Sequence, residues 1–177
     1  PLLASAMDGV TSPETAAEIG RLGGLGVLNL EGIWTRYEDA EEQLERIADA
    51  PPETATQTMQ EIYSEPVKAE LIGRRVEEMK EKGAVVSGSL TPQRVRDHYE
   101  VALEAGLDIL VIQGTVISAE HVSSSTEPLN LKEFIREVDV PVVVGGCASY
   151  STGLHLMRTG AAGVLVGVGP GAACTTR

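Results

Sequence analysis

A cysteine at position 174 closes the run Gly167-Val168-Gly169-Pro170-Gly171-Ala172-Ala173-Cys174, and Thr175-Thr176-Arg177 follow it. Backbone without side chains can press against a ligand and aim its N–H groups at a phosphate. A thiol delivered by such a loop can serve as a nucleophile once it ionises. The apolar run Ala161 to Val166 just before the loop reads as a buried strand. The same residues also suit an ordinary turn that carries a small buried cysteine. The rest of the chain has to separate these two readings.

Other candidates carry less. Cys147 follows a strand and reads as a small residue packed beneath a site. Asp8 follows the first strand, where it can bind a ribose hydroxyl or stabilise a turn. His121 lies in a long Ser-rich loop, Gln113 to Thr126, and faces the ligand end of the fold. His98 and His155 fall within helical patterns and read as surface or packing residues. Trp34 sits in a loop as a lid or interface residue. No cluster has the ligand spacing of a metal site.

The elements that position these residues alternate. Ser12 reads as an N-cap, Pro13 as the first helical residue and Glu14 as a first-turn acid, which starts a helix Pro13–Leu22. Further helices are expected at 38–48, 54–63, 66–82, 92–105, 129–138 and 149–159. Strands are expected at 1–6, 25–30, 84–90, 107–112, 141–144 and 161–166. A capping glycine follows several of the helices, at Gly23, Gly83, Gly106 and Gly160. Near-continuous apolar strands alternating with helices mean a parallel sheet with helical crossovers. Both a doubly wound sheet and a (β/α)8 barrel satisfy this pattern. The expectation is an α/β TIM barrel of about six βα units, shorter than the ~250 residues usual for eight. In either fold the chemistry belongs at the C-terminal ends of the strands. Cys174 lies at such an end.

Composition narrows the partners. With 177 residues, the chain can bury one domain-sized core. A formal charge of −12 argues against nucleic acid and anionic membrane as partners. No apolar run is long enough to span a bilayer. Two cysteines make no disulfide framework, which suits a soluble cytoplasmic protein.

Three segments together resemble the IMP dehydrogenase/GMP reductase family. The cysteine loop, Gly167 to Arg177, is similar to that family's active-site loop. Pro1-Leu2-Leu3-Ala4-Ser5-Ala6-Met7-Asp8-Gly9-Val10-Thr11 resembles its first substrate-binding strand, and Gly23-Gly24-Leu25-Gly26-Val27 its second. The likeness is nearest to the branch without CBS regulatory domains, because 47–84 holds only a short helical stretch.

The resemblance implies a (β/α)8 barrel in a homo-oligomer, a tetramer or octamer, of which residues 1–177 are the first six βα units. The final two strands are expected to lie outside it, and these residues alone are not expected to turn over substrate. Cys174 is then the nucleophile that adds to C2 of a purine nucleotide (IMP, GMP or XMP). Thr176 is the nearby proton donor or acceptor. Ser5, Met7 and Gly171 contact the nucleotide. Gly167 and Gly169 lie beside the nicotinamide of NAD or NADP. Backbone carbonyls of Gly169, Gly171 and Cys174 match a monovalent-cation (K⁺) site.

Four positions differ from the family's pattern. Gln113 stands for an aspartate, Gly146 for an asparagine, Leu165 for a lysine and Ala172 for a phosphate-binding serine. IMP oxidation and GMP reduction therefore both stay open. So do a non-catalytic nucleotide-binding paralogue and another phosphate-binding barrel enzyme.

Overall fold

The structure is a computed structural model and describes residues 2–114 and 129–167. The chain divides into two compact units. The first takes the described residues up to Ser89 together with His98–Leu107. The second takes Leu90–Asp97 and the described residues from Asp108 on.

In the first unit the order is β1 (Leu3–Ala4), α1 (Pro13–Arg21), β2 (Leu25–Asn29), a 3-10 turn (Ile33–Thr35), α2 (Ala40–Ala48), α3 (Ala55–Ser64), α4 (Ala69–Glu81) and β3 (Ser87–Leu90). β1 pairs with β2 in parallel, Leu3 opposite Leu25. β2 pairs with β3 in parallel, Val27 opposite Ser87 and Asn29 opposite Ser89. α1 begins as the sequence predicts. The Ser12 hydroxyl accepts from Thr15 N–H at 3.0 Å, and the Thr15 hydroxyl accepts from Ser12 N–H at 2.7 Å. This reciprocal cap satisfies two N–H groups that a helix start otherwise leaves open. α1 packs on β2 and α4. Gly26 permits the close approach, since a Cβ there would stand 2.6 Å from Ala16 Cβ. Leu28, Leu30, Ile33, Ile72, Val76 and Met79 form a fully buried apolar interior.

The second unit carries β4 (Ile109–Gln113), α6 (Leu131–Glu137), β5 (Val142–Cys147), α7 (Tyr150–Met157) and β6 (Gly163–Val166). Helix α5 (Val95–Glu104) starts in this unit and ends in the first. β4 pairs with β5 in parallel, Leu110 opposite Val142. β5 pairs with β6 in parallel, Val143 opposite Gly163. Leu110, Ile112, Phe134, Val144 and Leu156 are fully buried. Asn130 caps α6 and Ser149 caps α7 through their side chains.

The strands differ from expectation in their bounds: β1 is only Leu3–Ala4 rather than 1–6, β4 is Ile109–Gln113 rather than 107–112, β6 starts at Gly163 rather than Ala161, and β3 and β5 shift as well. β3 begins at Ser87 rather than Ala84, because its ladder to β2 starts only where Ser87 meets Val27, and Val85 is exposed. β5 does not stop at Gly145-Gly146 but continues to Cys147. Both glycines keep pairing, and at Gly145 the bare backbone lets Leu165 come close. Gly114 N–H donates to Gly145 O and Gly146 N–H donates to Gly114 O, each at 2.9 Å. An irregularity in the β5–β6 ladder between Gly145 and Cys147 absorbs the register shift.

Candidate functional site

The loop that leaves β1 is built from short polar and backbone contacts. Met7 N–H donates to Ser5 O at 2.8 Å, and Val10 and Thr11 N–H both donate to Met7 O at 2.9 Å. The buried Thr11 hydroxyl donates back to Ser5 O at 2.7 Å. These bonds close a compact turn with Ser5 and Met7 on its open side. Ser5 is exposed, and Met7 is 57% exposed. An exposed methionine on a turn offers a polarizable, adaptable side chain that packs favourably against an aromatic ring.

Asp8 points the other way. Its carboxylate is buried, packs over Gly32 and accepts a hydrogen bond from the Tyr63 hydroxyl. A Cβ on Gly32 would stand 2.5 Å from Asp8 Cγ, so only glycine fits beneath the carboxylate. The Asp8 main-chain carbonyl accepts from Trp34 Nε1 at 3.1 Å. Asp8 therefore does not present its carboxylate to a ribose, and it lies within the turn, as the turn-stabilising reading expects. It joins the β1 loop to two other segments. Burial pushes the Tyr63 hydroxyl well above the usual tyrosine pKa, and the Asp8 carboxylate pushes it further.

Trp34 is not a lid. It is 7% exposed and lies under Arg75, whose guanidinium sits 5.8 Å from the ring centroid. Arg75 is itself buried and donates to the carbonyls of Trp34, Tyr37 and Glu38 at 2.9, 3.2 and 2.8 Å. Its charge partner is the Glu78 carboxylate at 2.9 Å. A planar fork with five donors suits this task, and a lysine would not reach all the acceptors. A cavity of about 620 Å³ opens beside Trp34 and Arg75. Six carboxylates line it against Arg75 and Lys82, so its charge disfavours an anionic nucleotide. Neither Ser5 nor Met7 lines it.

In the second unit, β6 ends at Val166 and Gly167 turns the chain with φ 123°. That left-handed backbone suits glycine, and among the described residues nothing lies within 4 Å of where a Cβ would stand. Gly167 N–H donates to Cys147 O at 2.8 Å, which ties the start of the cysteine loop to the end of β5. Cys147 is fully buried with a free thiol, as its reading as a packing residue requires. Gln113 is exposed at the end of β4. Gly169, Gly171, Cys174, Thr176 and His121 lie outside the described residues, and so does the expected cation site. Among the described residues no group of three or more His, Cys, Asp or Glu can hold a metal, and no helix is long and apolar enough to cross a membrane.

Sequence reasoning placed Ser5, Met7 and Gly167 at strand ends and missed Tyr63, Arg36 and Arg75. Tyr63 lies 55 residues from Asp8, and no local pattern connects them.

Comparison with known proteins adds the family. The model for the IMP dehydrogenase / GMP reductase domain matches residues 1–177. A protein of Mycobacterium tuberculosis described as an uncharacterized oxidoreductase is 47% identical over 181 residues, 99% of this chain and 48% of that protein. The inosine-5'-monophosphate dehydrogenase of Cryptosporidium parvum is 26% identical over 190 residues, 100% of this chain and 45% of that protein. A solved structure, an IMP dehydrogenase/GMP reductase-like protein from Corynebacterium glutamicum, superposes with a TM-score of 0.88 at 44% identity. That match covers 96% of this chain and 45% of the other. The chain thus spans about half the length of the curated relatives it matches. The fold is α/β, with six parallel strands and their helices forming part of a (β/α)8 barrel.

Proposed function

The chain belongs to the IMP dehydrogenase/GMP reductase family, and from that premise we propose that its parent protein is an oxidoreductase acting at C2 of a purine nucleotide. The observation that supports this most is the exit from β6. A strand end followed by a left-handed glycine opens the loop that carries Cys174, at the end of a βα unit where such enzymes keep their chemistry.

In this reading Ser5 and Met7 bind the nucleotide and orient its ring. The Cys174 thiolate adds to C2, which becomes tetrahedral. When IMP is the substrate, the C2 hydrogen leaves as hydride and a thioimidate on Cys174 remains. Water activated through Thr176 then adds to that carbon, the sulfur departs, and XMP is released. When GMP is the substrate, addition of sulfur expels ammonia. A hydride delivered to C2 and loss of the sulfur then give IMP. A bound nicotinamide dinucleotide would accept or supply the hydride. The fit of that group to this chain rests on Gly167, a side-chain-free residue at positive φ that meets nothing within 4 Å among the described residues. The chain's own task is to hold the two rings at near-reaction distance and to keep the thiol ionised. NAD or NADP and a K⁺ ion at the carbonyls of Gly169, Gly171 and Cys174 belong to the same proposal. So do a homo-oligomeric assembly and a cytoplasmic location.

The test follows NADH formation with IMP and, separately, NADPH consumption with GMP, using the full-length protein. Turnover in one of the two assays supports the reading. Silence in both, from folded protein, overturns it. The exposed Gln113 at the end of β4 gives a second reading some weight, a binding protein that has lost turnover. That version predicts nucleotide affinity without either signal.

A further inference from the structure

We propose that Tyr63 is a positioning residue for the nucleotide-binding loop, holding it through Asp8 from a helix added between β2 and α4. The inference rests on the reading of Ser5 and Met7 as nucleotide contacts.

The argument begins with the order of elements. One helix separates β1 from β2, and one separates β5 from β6. Three helices lie between β2 and β3. Of these, α4 packs against α1, as a crossover helix does. That leaves α2 and α3 as additional elements, which pack on each other.

The end of α3 is fastened to loops at strand ends. The Tyr37 hydroxyl donates to Ile62 O at 3.0 Å, and Lys68 N–H donates to Thr35 O at 2.8 Å. Arg36 donates to Glu65 O and to Glu31 O, and its guanidinium lies 5.7 Å from the Tyr63 ring centroid. All of these reach the segment after β2. Tyr63 alone, among the described contacts of α3, reaches the loop after β1, where its hydroxyl meets Asp8 Oδ2.

Asp8 is poorly served by anything else. Its residue is 7% exposed, and Oδ1 has no hydrogen-bond partner among the described residues. Gly32 lies directly beneath the carboxylate. Without the Tyr63 hydroxyl the buried carboxylate would keep no donor among the described residues, which is costly in a low-dielectric interior. The available relief is for Asp8 to swing into water. That movement pulls on its carbonyl bond to Trp34 and on the turn in which Met7 O accepts from Val10 and Thr11. Ser5 and Met7 belong to that turn. Tyr63 thus controls the shape of a binding surface that it does not touch.

The test uses Tyr63→Phe in the full-length protein, with Tyr37→Phe as the control. The control removes a hydroxyl that holds the same helix end but not Asp8. In Tyr63→Phe, amide exchange at Met7, Val10 and Thr11 is expected to rise about tenfold or more. The KM for IMP or GMP is expected to weaken by a similar factor, with kcat within about twofold. Tyr37→Phe leaves both the turn and KM unchanged. Unchanged exchange in Tyr63→Phe, or equal effects in both variants, overturns the proposal. If Tyr63→Phe does not fold, the wild type decides. Saturating nucleotide must then slow exchange at the last turn of α3 as well as at Met7 to Thr11, because coupling is reciprocal. Protection of the loop alone overturns the proposal. If the wild type binds no purine nucleotide, loop exchange in Tyr63→Phe still decides whether Tyr63 holds the loop, and only the nucleotide reading falls.

Discussion

Gly145 of β5 lies so close to Leu165 of β6 that a Cβ on it would stand 2.7 Å from the Leu165 carbonyl oxygen and 3.0 Å from its Cα. Backbone cannot yield as a flexible side chain can. This contact lies two residues before Gly167, where the cysteine loop begins.

Gly145→Ala should therefore destabilise by about 1–3 kcal/mol, the usual range for forcing extra volume into a packed interior. Gly153→Ala is the contrast. Its Cβ would meet only Cys147 Sγ at an ordinary 3.6 Å, and it lies inside α7. Alanine gains up to about 1 kcal/mol there from helix propensity. Chemical denaturation of the two variants checks the pair of signs.

Tyr63 gives the fold a dependence on alkaline pH. Its pKa is raised in the folded state, first by burial and then by Asp8, so the native protein holds that proton where the unfolded chain releases it. The stability this contributes is fully present below the ordinary tyrosine pKa of about 10. It is lost as pH rises from there through the folded value. Denaturation from pH 8 to 11 should show stability falling over the upper part of that window. Tyr63→Phe should remove that part of the slope.

Arg75 holds three carbonyls of the segment after β2 and the Glu78 carboxylate from a buried position. Arg75→Lys keeps the charge but loses the fork. It should cost about 2 kcal/mol, the scale of hydrogen bonds to a charged group. Thermal unfolding measures it. Arg74→Lys should be nearly neutral, since that side chain is half exposed and its ion pairs are at the surface.

Much of this was legible in the sequence, and the parts that were not share a cause. The Ser12-Pro13-Glu14 helix start follows from local chemistry and appears as expected. The glycines expected to end helices, Gly23, Gly83, Gly106 and Gly160, all take positive φ. These are short-range effects, so a short window of sequence contains them. Ser5, Met7 and Gly167 were placed just past strand ends because strand ends follow from the same alternation. The continuation of β5 through Gly145-Gly146 was hidden. Two glycines normally mark a turn, and here Gly145 stays in the ladder opposite a closely approaching Leu165. The partners of Asp8 and Trp34 were hidden for the same reason. Those partners, Tyr63 and Arg75, lie 55 and 41 residues away, across an insertion whose docking no periodicity announces.

The central claim is that Cys174 attacks the purine ring. Its most direct test is turnover of the full-length protein and its Cys174→Ala variant with IMP and with GMP, each with its nicotinamide dinucleotide, after nucleotide binding to both proteins has been confirmed. If Cys174 is the nucleophile, the variant binds nucleotide and loses at least about a thousandfold in kcat, as removal of a covalent nucleophile does. A variant that binds nucleotide and turns over within tenfold of the wild type would contradict it.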